Sequence, residues 1–352
     1  MINNTDKFFV FFFMLIPVLL ITGPALPDIV ITLSSIYFLI SFLLIKNNKF
    51  FLKDKFFLIS ILFWLSILFI SFFAYDKIRS FQDSFIFIRF LIIPTIAYFF
   101  FFNNEKRLKN VITIIFLCVC FVSLDTLFQY FNYDSKYGFG RDLIGFKSQW
   151  YGRLTGPFGD ELVPGAYISK FGLLGYLFFF FIKKKKINIY LEIIYLSLLG
   201  LVCFGSGERM ALATYFLGLF FLLIFIKDKR LVYFISISIS VFLIVSCVKL
   251  HPFYNDYKVI SSTHLHQGLT IEKYFKCEES NAKKCSKIIQ LQPSFTEVIK
   301  NFKSSAYGEI YNVGLTMFTD NPLTGIGISN YQIACINIEK YQPETIEFLE
   351  LL

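Results

Sequence analysis

Two arginines stand in glycine-rich segments that join long apolar runs of this chain. Arg153 begins the segment Arg-Leu-Thr-Gly-Pro-Phe-Gly-Asp at 153–160, and Arg209 ends the segment Ser-Gly-Glu-Arg at 206–209. The chain has only seven arginines against 27 lysines. A guanidinium group stays charged and offers a planar fork that matches phosphate oxygens better than an ammonium group does. Both segments are therefore candidate sites for a phosphate-bearing ligand.

Each arginine also has a structural interpretation that the sequence leaves open. Arg153 then serves as an interfacial anchor next to a helix cap, and Arg209 as an interfacial arginine paired with Glu208. The Gly-Ser-Gly turn before Glu208 favours the functional interpretation, because glycine lets a backbone approach a ligand closely.

The segment after Arg153 predicts the start of a helix whose N-terminus attracts an anion. Pro164 suits the first helical turn, and Asp160 or Glu161 can cap it. The unpaired amides at such an end favour negative charge. Lys170 adds a second cation inside the following apolar run, where a charge is costly unless it has a partner or faces a polar cavity.

A third glycine-rich segment, Met317 to Tyr331, contains Asp-Asn-Pro-Leu-Thr-Gly-Ile-Gly at 320–327. Asn-Pro predicts a turn that ends a helix, and Gly325 and Gly327 predict a close backbone passage. The segment lacks the Gly-Lys-Ser/Thr of a phosphate-binding loop, so we do not interpret it as a nucleotide site.

Other charged residues in the apolar part are weaker candidates. Arg89 lies within an apolar run, where an arginine is a functional-site hypothesis by default. An ion pair with Asp125 of the next run is the structural alternative. His264 and His266 have neither nearby cysteines nor paired acids, so we predict no metal site and no cofactor.

Composition decides which elements must position these residues. The chain has 352 residues, of which 56% are hydrophobic and 20% aromatic, with a mean hydropathy of +0.61. Only 17% are charged, against roughly 25% in soluble domains. The formal charge of +9 does not indicate nucleic acid, because the basic residues lie in short loops between apolar runs. We predict an all-α polytopic membrane protein.

Nine apolar runs have about the length that a membrane-spanning helix needs, roughly 20 residues. The predicted spans are 8–24, 28–45, 56–74, 83–102, 111–131, 162–182, 187–204, 210–226 and 231–250. The first run follows Lys7 as in a signal peptide, but a second run follows directly, so we predict two spans and no cleavage. Glu192 interrupts the run 187–204.

Basic residues alternate between the loops and thereby predict the orientation. They concentrate in the loops 46–55, 106–109, 183–186 and 227–230. The positive-inside rule places these loops and the N-terminus in the cytoplasm. The segment 132–161, the 205–209 turn and everything after about 250 then face outward.

We predict two domains, a transmembrane helical domain over 1–250 and a polar extracytoplasmic loop domain over 251–352. Cys277 and Cys285 lie in the second domain, where an oxidising compartment permits a disulfide between them, with free thiols as the alternative. Cys335 has no assigned partner.

The three glycine-rich segments, in this order, resemble the O-antigen ligase and O-antigen polymerase family of membrane glycosyltransferases. The resemblance implies about a dozen helices around an outward-facing cavity in the bacterial inner membrane. It implies transfer of a glycan from undecaprenyl pyrophosphate to an acceptor, in cell-surface polysaccharide or lipopolysaccharide biosynthesis, without metal or nucleotide. It also implies that Arg153 and Arg209 bind the pyrophosphate, and Arg89, Lys170, Gly325 and Gly327 are candidate substrate contacts.

The chain departs from the family pattern at its end. The family has a loop histidine after the Gly-x-Gly segment as its proposed base, and no histidine follows His266 here. We therefore assign no catalytic residue and expect a truncated chain that lacks two or three further helices. The acceptor stays open between lipid A-core, a growing glycan and a protein.

Two other classes of function compete with the transferase. A transporter or flippase for lipid-linked glycans predicts inverted repeats and broken helices at mid-membrane. The sequence shows no internal repeat, and its informative polar residues lie near the predicted outer face instead of the midplane. A non-catalytic membrane scaffold does not need three outward-facing glycine and arginine segments.

Overall fold

The computed structural model describes residues 4–40, 54–102, 104–134, 138–148, 153–181, 185–255, 302–304 and 306–341. Helices dominate this part of the chain. Their bounds are α1 Asn4–Met14, α2 Ile16–Leu19, α3 Ala25–Leu39, α4 Lys55–Ser71, α5 Lys77–Ala97, α6 Glu105–Phe131, α7 Pro164–Tyr176, α8 Lys185–Gly205, α9 Arg209–Phe225, α10 Arg230–Leu250, α11 Ala306–Asp320 and α12 Tyr331–Asn337. A π-helical turn, Tyr98–Phe102, follows α5, and a 3-10 turn, Leu177–Phe181, follows α7.

Apolar helices overlap eight of the nine predicted spans. Four of the described helical segments are long and apolar enough to cross a membrane: Lys77–Ala97, Glu105–Phe131, Pro164–Phe181 and Lys227–Leu250. Four shorter apolar helices, Ala25–Leu39, Lys55–Ser71, Ile189–Gly205 and Arg209–Phe225, overlap four further predicted spans.

The first predicted span, 8–24, differs from the others because it is not one helix. It divides into α1, α2 and the 3-10 turn Leu20–Thr22. Pro17 lies in the first turn of α2. Proline has no N–H and tolerates that position, but it interrupts a continuous helix. A proline inside an apolar run therefore breaks this span.

The described residues also contain one small element of β structure. Strands β1, Tyr133–Asp134, and β2, Gly138–Phe139, form a two-stranded antiparallel sheet in which Tyr133 is opposite Phe139. This ribbon follows α6 in the segment that leads to Arg153. The prediction of an all-α protein missed it because two-residue strands leave no alternating pattern to detect.

Contacts divide the chain into two compact units. One contains most of α1 and α3 together with α4, α5, α11 and α12, and the other contains α2 and the elements from α6 to α10. The predicted division into 1–250 and 251–352 stays a prediction. Cys277, Cys285, His264 and His266 lie outside the described residues.

Buried tyrosines join the helices of the unit that contains α6 to α10. The Tyr167 hydroxyl donates to Pro17 O at 2.9 Å, and the Tyr215 hydroxyl donates to Leu196 O at 2.6 Å. Both side chains belong to the hydrophobic core formed by α6, α7, α8 and α9. Each hydroxyl finds a carbonyl acceptor, as a buried polar group requires, so these tyrosines fix helix positions as well as fill space.

Glu192 does not interrupt the helix in the predicted span 187–204, because an ion pair compensates its charge. Its carboxylate is 3% exposed and lies 2.8 Å from Lys229 Nζ at both oxygens. The Tyr176 hydroxyl donates to Glu192 Oε2 at 2.7 Å. Residues from α7, α8 and the turn before α10 thus form one ion-pair cluster, as a buried carboxylate needs.

The other unit has a polar contact between α4 and α5 and a small apolar core. Ser71 Oγ lies 2.8 Å from Ser84 Oγ, and Trp64 Nε1 donates to Ser84 O at 2.9 Å. Cys335 is fully buried in the core that α11 and α12 share, and it is a free thiol. It packs there as a small apolar residue.

Candidate anion site at the Arg153 and Arg209 segments

Gln129 of α6 holds the Arg153 segment in place. Its Oε1 accepts hydrogen bonds from Gly156 N at 2.9 Å and Thr155 N at 3.2 Å. Gln129 is fully buried, as are Thr155 and Gly156. Buried backbone N–H groups need partners, and this side chain supplies two of them. Sequence reasoning missed Gln129, although a glutamine near the end of an apolar run was the available signal.

The Arg209 turn, residues 206–209, lies against the Arg153 segment. Leu154 N donates to Ser206 O at 3.1 Å. Gly165 at the start of α7 also meets this turn, since an ideal Cβ there would lie 2.4 Å from Ser206 Oγ and 3.1 Å from Glu208 Cβ. The structure therefore brings together the two arginine segments that the sequence singled out.

Glu208 connects the two segments through the N-terminus of α7. Its Oε1 accepts from Gly165 N at 2.9 Å and its Oε2 from Ala166 N at 3.1 Å. The helix begins at Pro164, as predicted. The prediction that Asp160 or Glu161 caps it is wrong, because Glu208, distant in sequence, supplies the capping carboxylate.

Two of the candidate ligand-binding cations, Arg153 and Lys170, lie within electrostatic range of Glu208. Burial raises the pKa of the Glu208 carboxyl, whereas the bond from Ala166 N, the charge of Arg153 and the charge of Lys170 oppose that rise. Lys170 thus has the anionic neighbour that its position in an apolar run requires. Three charged side chains from the two segments and α7 form one cluster.

Arg153 is only partly used by the protein itself. Its Nη2 donates to Leu162 O at 3.2 Å. Its Nε is buried and has no hydrogen-bond partner within the described part of the chain. A guanidinium group has five N–H donors, so the bond to Leu162 O leaves capacity for a further acceptor, such as a phosphate oxygen.

Gly165 allows a specific test of the contact between α7 and the Arg209 turn. We expect Gly165→Ala to destabilise the protein by about 1–3 kcal/mol, because its Cβ overpacks Ser206 and Glu208. Thermal unfolding in detergent measures the loss. Gly314→Ala is the control, since an ideal Cβ at Gly314 of α11 meets its nearest atom at 3.9 Å and alanine favours a helix interior. Equal shifts for the two variants would contradict the tight contact.

The third segment forms a loop that binds the turn between α4 and α5. Asn330 Oδ1 accepts from Asp76 N at 2.8 Å, and Tyr75 N donates to Ile326 O at 3.1 Å. Gly327 has φ +91°, and an ideal Cβ there would lie 2.3 Å from Ala74 Cβ. The predicted close backbone passage is confirmed at Gly327, whereas an ideal Cβ at Gly325 meets nothing within 4 Å.

The predicted helix end at Asn-Pro is also confirmed, since α11 ends at Asp320. Gly327 therefore has a structural role. Substrate binding by Gly325 and Gly327 stays a prediction.

Arg89 forms an ion pair with a different partner from the one we expected. Its Nη1 lies 2.9 Å from Asp28 Oδ2 and its Nη2 lies 2.7 Å from Asp28 Oδ1. Nη1 also donates to Thr32 Oγ1 at 2.7 Å. The alternative of a pair with Asp125 is wrong. Arg89 joins α5 to α3, and its role as a substrate contact stays a prediction.

Two buried aspartates hold the loop that follows the β ribbon. Asp125 Oδ1 accepts from Leu143 N at 2.9 Å. Asp142 Oδ1 accepts from Phe146 N at 2.7 Å and from Gly145 N at 2.5 Å. The Oδ2 atom of each aspartate is buried and has no hydrogen-bond partner among the described residues. Sequence reasoning gave Asp125 a role toward Arg89 and missed this one.

His251 is held as a structural residue at the end of α10. Its Nε2 lies 3.0 Å from Tyr130 O, and its Nδ1 accepts from Phe253 N at 3.3 Å. Burial lowers the pKa of the imidazole, and the hydrogen bond to Tyr130 O opposes that fall. Both ring nitrogens are used, which agrees with assigning it no catalytic role. It borders a cavity of about 430 Å³ whose lining includes Leu243 and Cys247.

Several apolar helices are typical of a multi-pass membrane protein. The two arginine segments within it form a candidate anion site. Residues 193–347 match the family model described as O-antigen ligase. The predicted resemblance to this family is therefore confirmed over residues 193–347 of a multi-pass membrane protein. The matched segment includes the Arg209 turn and the Asp320–Gly327 loop but not Arg153. No curated protein and no solved structure matches the chain.

Proposed function

We propose that the protein transfers a glycan from an undecaprenyl-pyrophosphate-linked donor to an acceptor sugar, with Arg153 and Arg209 holding the pyrophosphate. One observation carries the proposal. The Arg153 segment and the Arg209 turn, far apart in sequence, are joined by the bond from Leu154 N to Ser206 O at 3.1 Å. They lie together in a chain that carries an O-antigen ligase domain.

The reaction needs charge stabilisation more than covalent chemistry from the protein. The bond between the anomeric carbon and the pyrophosphate oxygen breaks, and the electron pair leaves with undecaprenyl pyrophosphate. A new bond forms from the acceptor hydroxyl oxygen to the anomeric carbon, and a base takes the hydroxyl proton. Guanidinium groups stabilise the charge that develops on the leaving pyrophosphate. We assign no residue as the base.

The resemblance to the O-antigen ligase family and the predicted topology indicate on which side of the membrane this reaction takes place. The positive-inside bias supports a cytoplasmic N-terminus and a periplasmic segment 251–352, with the arginine segments facing the periplasm. The donor is then a lipid-linked glycan within the inner membrane. The acceptor is lipid A-core, a growing glycan or a protein, and the described residues favour none of the three.

The function is tested with purified protein in liposomes that contain a lipid-linked glycan donor and an acceptor glycan. We expect the glycan on the acceptor, together with an equal amount of released undecaprenyl pyrophosphate. Liposomes without acceptor are the control. Donor that crosses the bilayer with its glycan still attached, and no glycosylated acceptor, would instead identify a flippase and contradict the proposal.

A further inference from the structure

Glu208 lies at the N-cap position of α9 but does not cap that helix. Its side chain makes no hydrogen bond to the amides of α9. Both carboxylate oxygens instead bind the first free amides of α7, Gly165 N at 2.9 Å and Ala166 N at 3.1 Å. One carboxylate thus fixes the start of one helix to the start of another, where a helix N-terminus favours negative charge.

The turn that carries Glu208 is held by hydrogen bonds of its own. Ser206 is fully buried, and its Oγ donates to Cys203 O at 2.9 Å and accepts from Glu208 N at 3.3 Å. Ser206 O binds Leu154 N, next to Arg153. Arg209 follows Glu208 directly and begins α9. The Arg153 side chain is itself bonded to Leu162 O, just before α7, so a movement of Glu208 relative to α7 changes the position of Arg209 relative to the Arg153 side chain.

Charge gives Glu208 a second effect on the same site. It is the anionic neighbour of Arg153 and Lys170, and it occupies the amides that the sequence analysis expected to meet the ligand. A ligand anion at this site is then bound by cationic side chains, because the two α7 amides already have an internal carboxylate.

We infer that Glu208 is a positioning residue of the pyrophosphate site, whose carboxylate fixes Arg209 against the Arg153 segment and closes the α7 amides to the ligand. The inference rests on the proposed function. A residue that only caps a helix changes stability alone. A positioning residue changes the transition state that the arginines stabilise, and an error of about 1 Å in such a site costs roughly 100-fold in rate.

Glu208→Gln separates these two roles. The glutamine keeps the side-chain length and one acceptor oxygen for Gly165 N. It loses the negative charge, and its NH2 group, which is a donor, faces the donor Ala166 N. We expect a folded variant whose kcat falls about 10- to 100-fold, with a smaller change in KM for the donor. Affinity for undecaprenyl pyrophosphate is expected to fall with kcat, because that product carries the charge that develops on the leaving group.

The pH profile gives an independent readout. Burial raises the pKa of Glu208, so lowering the pH protonates the carboxylate and removes an acceptor from the α7 amides. Wild-type activity is expected to fall on the acid side, and this limb is expected to be absent in Glu208→Gln. Glu161→Gln is the matched control, since Glu161 is an exposed carboxylate near the same helix. It is expected to keep the wild-type kcat and profile.

Each outcome decides between the inference and the function. Wild-type kcat, product affinity and acid limb in Glu208→Gln would overturn the inference and leave the function intact. Wild-type protein that binds undecaprenyl pyrophosphate but transfers no glycan overturns the proposed transfer, and the affinity of Glu208→Gln still tests the inference. Wild-type protein that neither binds nor transfers overturns both.

Discussion

The Arg209→Lys variant is expected to transfer glycan about 100- to 1,000-fold more slowly than the wild type, the loss typical of removing one preorganised donor from a transition-state site. Lysine keeps the charge but loses the planar fork that binds two phosphate oxygens at once. Arg153→Lys is expected to lose activity on the same scale. The measurement is the initial rate of glycan transfer in liposomes.

The double variant shows whether the two arginines act as one clamp. If they bind one pyrophosphate together, Arg153→Lys combined with Arg209→Lys loses little more activity than either single variant. The first substitution already disrupts the joint binding, so the second has little further effect. Arg141→Lys is the control, since Arg141 is an exposed arginine in the segment between α6 and Arg153. Wild-type rates in both single variants would exclude these arginines from the pyrophosphate site.

Lys229→Ala is expected to destabilise the protein by about 3–5 kcal/mol, because it leaves Glu192 as a buried and uncompensated charge. Glu192 is 3% exposed, and its remaining partner is the Tyr176 hydroxyl at 2.7 Å. Thermal or denaturant unfolding in detergent measures the loss. The pair Glu192→Gln with Lys229→Met removes both charges and is expected to recover most of the stability.

Lys340→Ala provides the comparison at an exposed ion pair. The Lys340 and Asp320 side chains are 60% and 28% exposed, and their charged atoms are 2.7 Å apart. Water screens such a pair, so its loss is expected to be much smaller. If Lys229→Ala were as stable as Lys340→Ala, the cluster of Glu192, Lys229 and Tyr176 would not be a buried ion pair in the membrane-embedded protein.

The helices could be predicted from sequence because the length of an apolar run is a local property. Eight apolar helices overlap predicted spans. The prediction of one continuous helix for the first span was wrong, because Pro17 interrupts the apolar run and hydropathy alone does not detect this. The turns at Asn321-Pro322 and at Gly327 were also predictable. Proline restricts the backbone conformation and glycine widens it at any position in a chain.

Pairings between distant residues could not be predicted in the same way. The sequence shows that Arg89 needs a partner, but helix packing decides between Asp28 and Asp125. It shows a glutamate before Arg209, but not that Glu208 reaches the amides of α7 instead of its own helix. The role of Gln129 could not be predicted for the same reason, because the backbone that it binds lies in a segment more than twenty residues away.

The most direct test of the pyrophosphate site is the affinity for undecaprenyl pyrophosphate, measured on protein in lipid nanodiscs. Undecaprenyl monophosphate is the control ligand, because it has the same lipid chain and one phosphate fewer. Wild-type protein is expected to prefer the pyrophosphate, and Arg153→Ala combined with Arg209→Ala is expected to lose most of that preference while remaining folded. An unchanged preference in the folded double variant would contradict the assignment of Arg153 and Arg209 to the pyrophosphate.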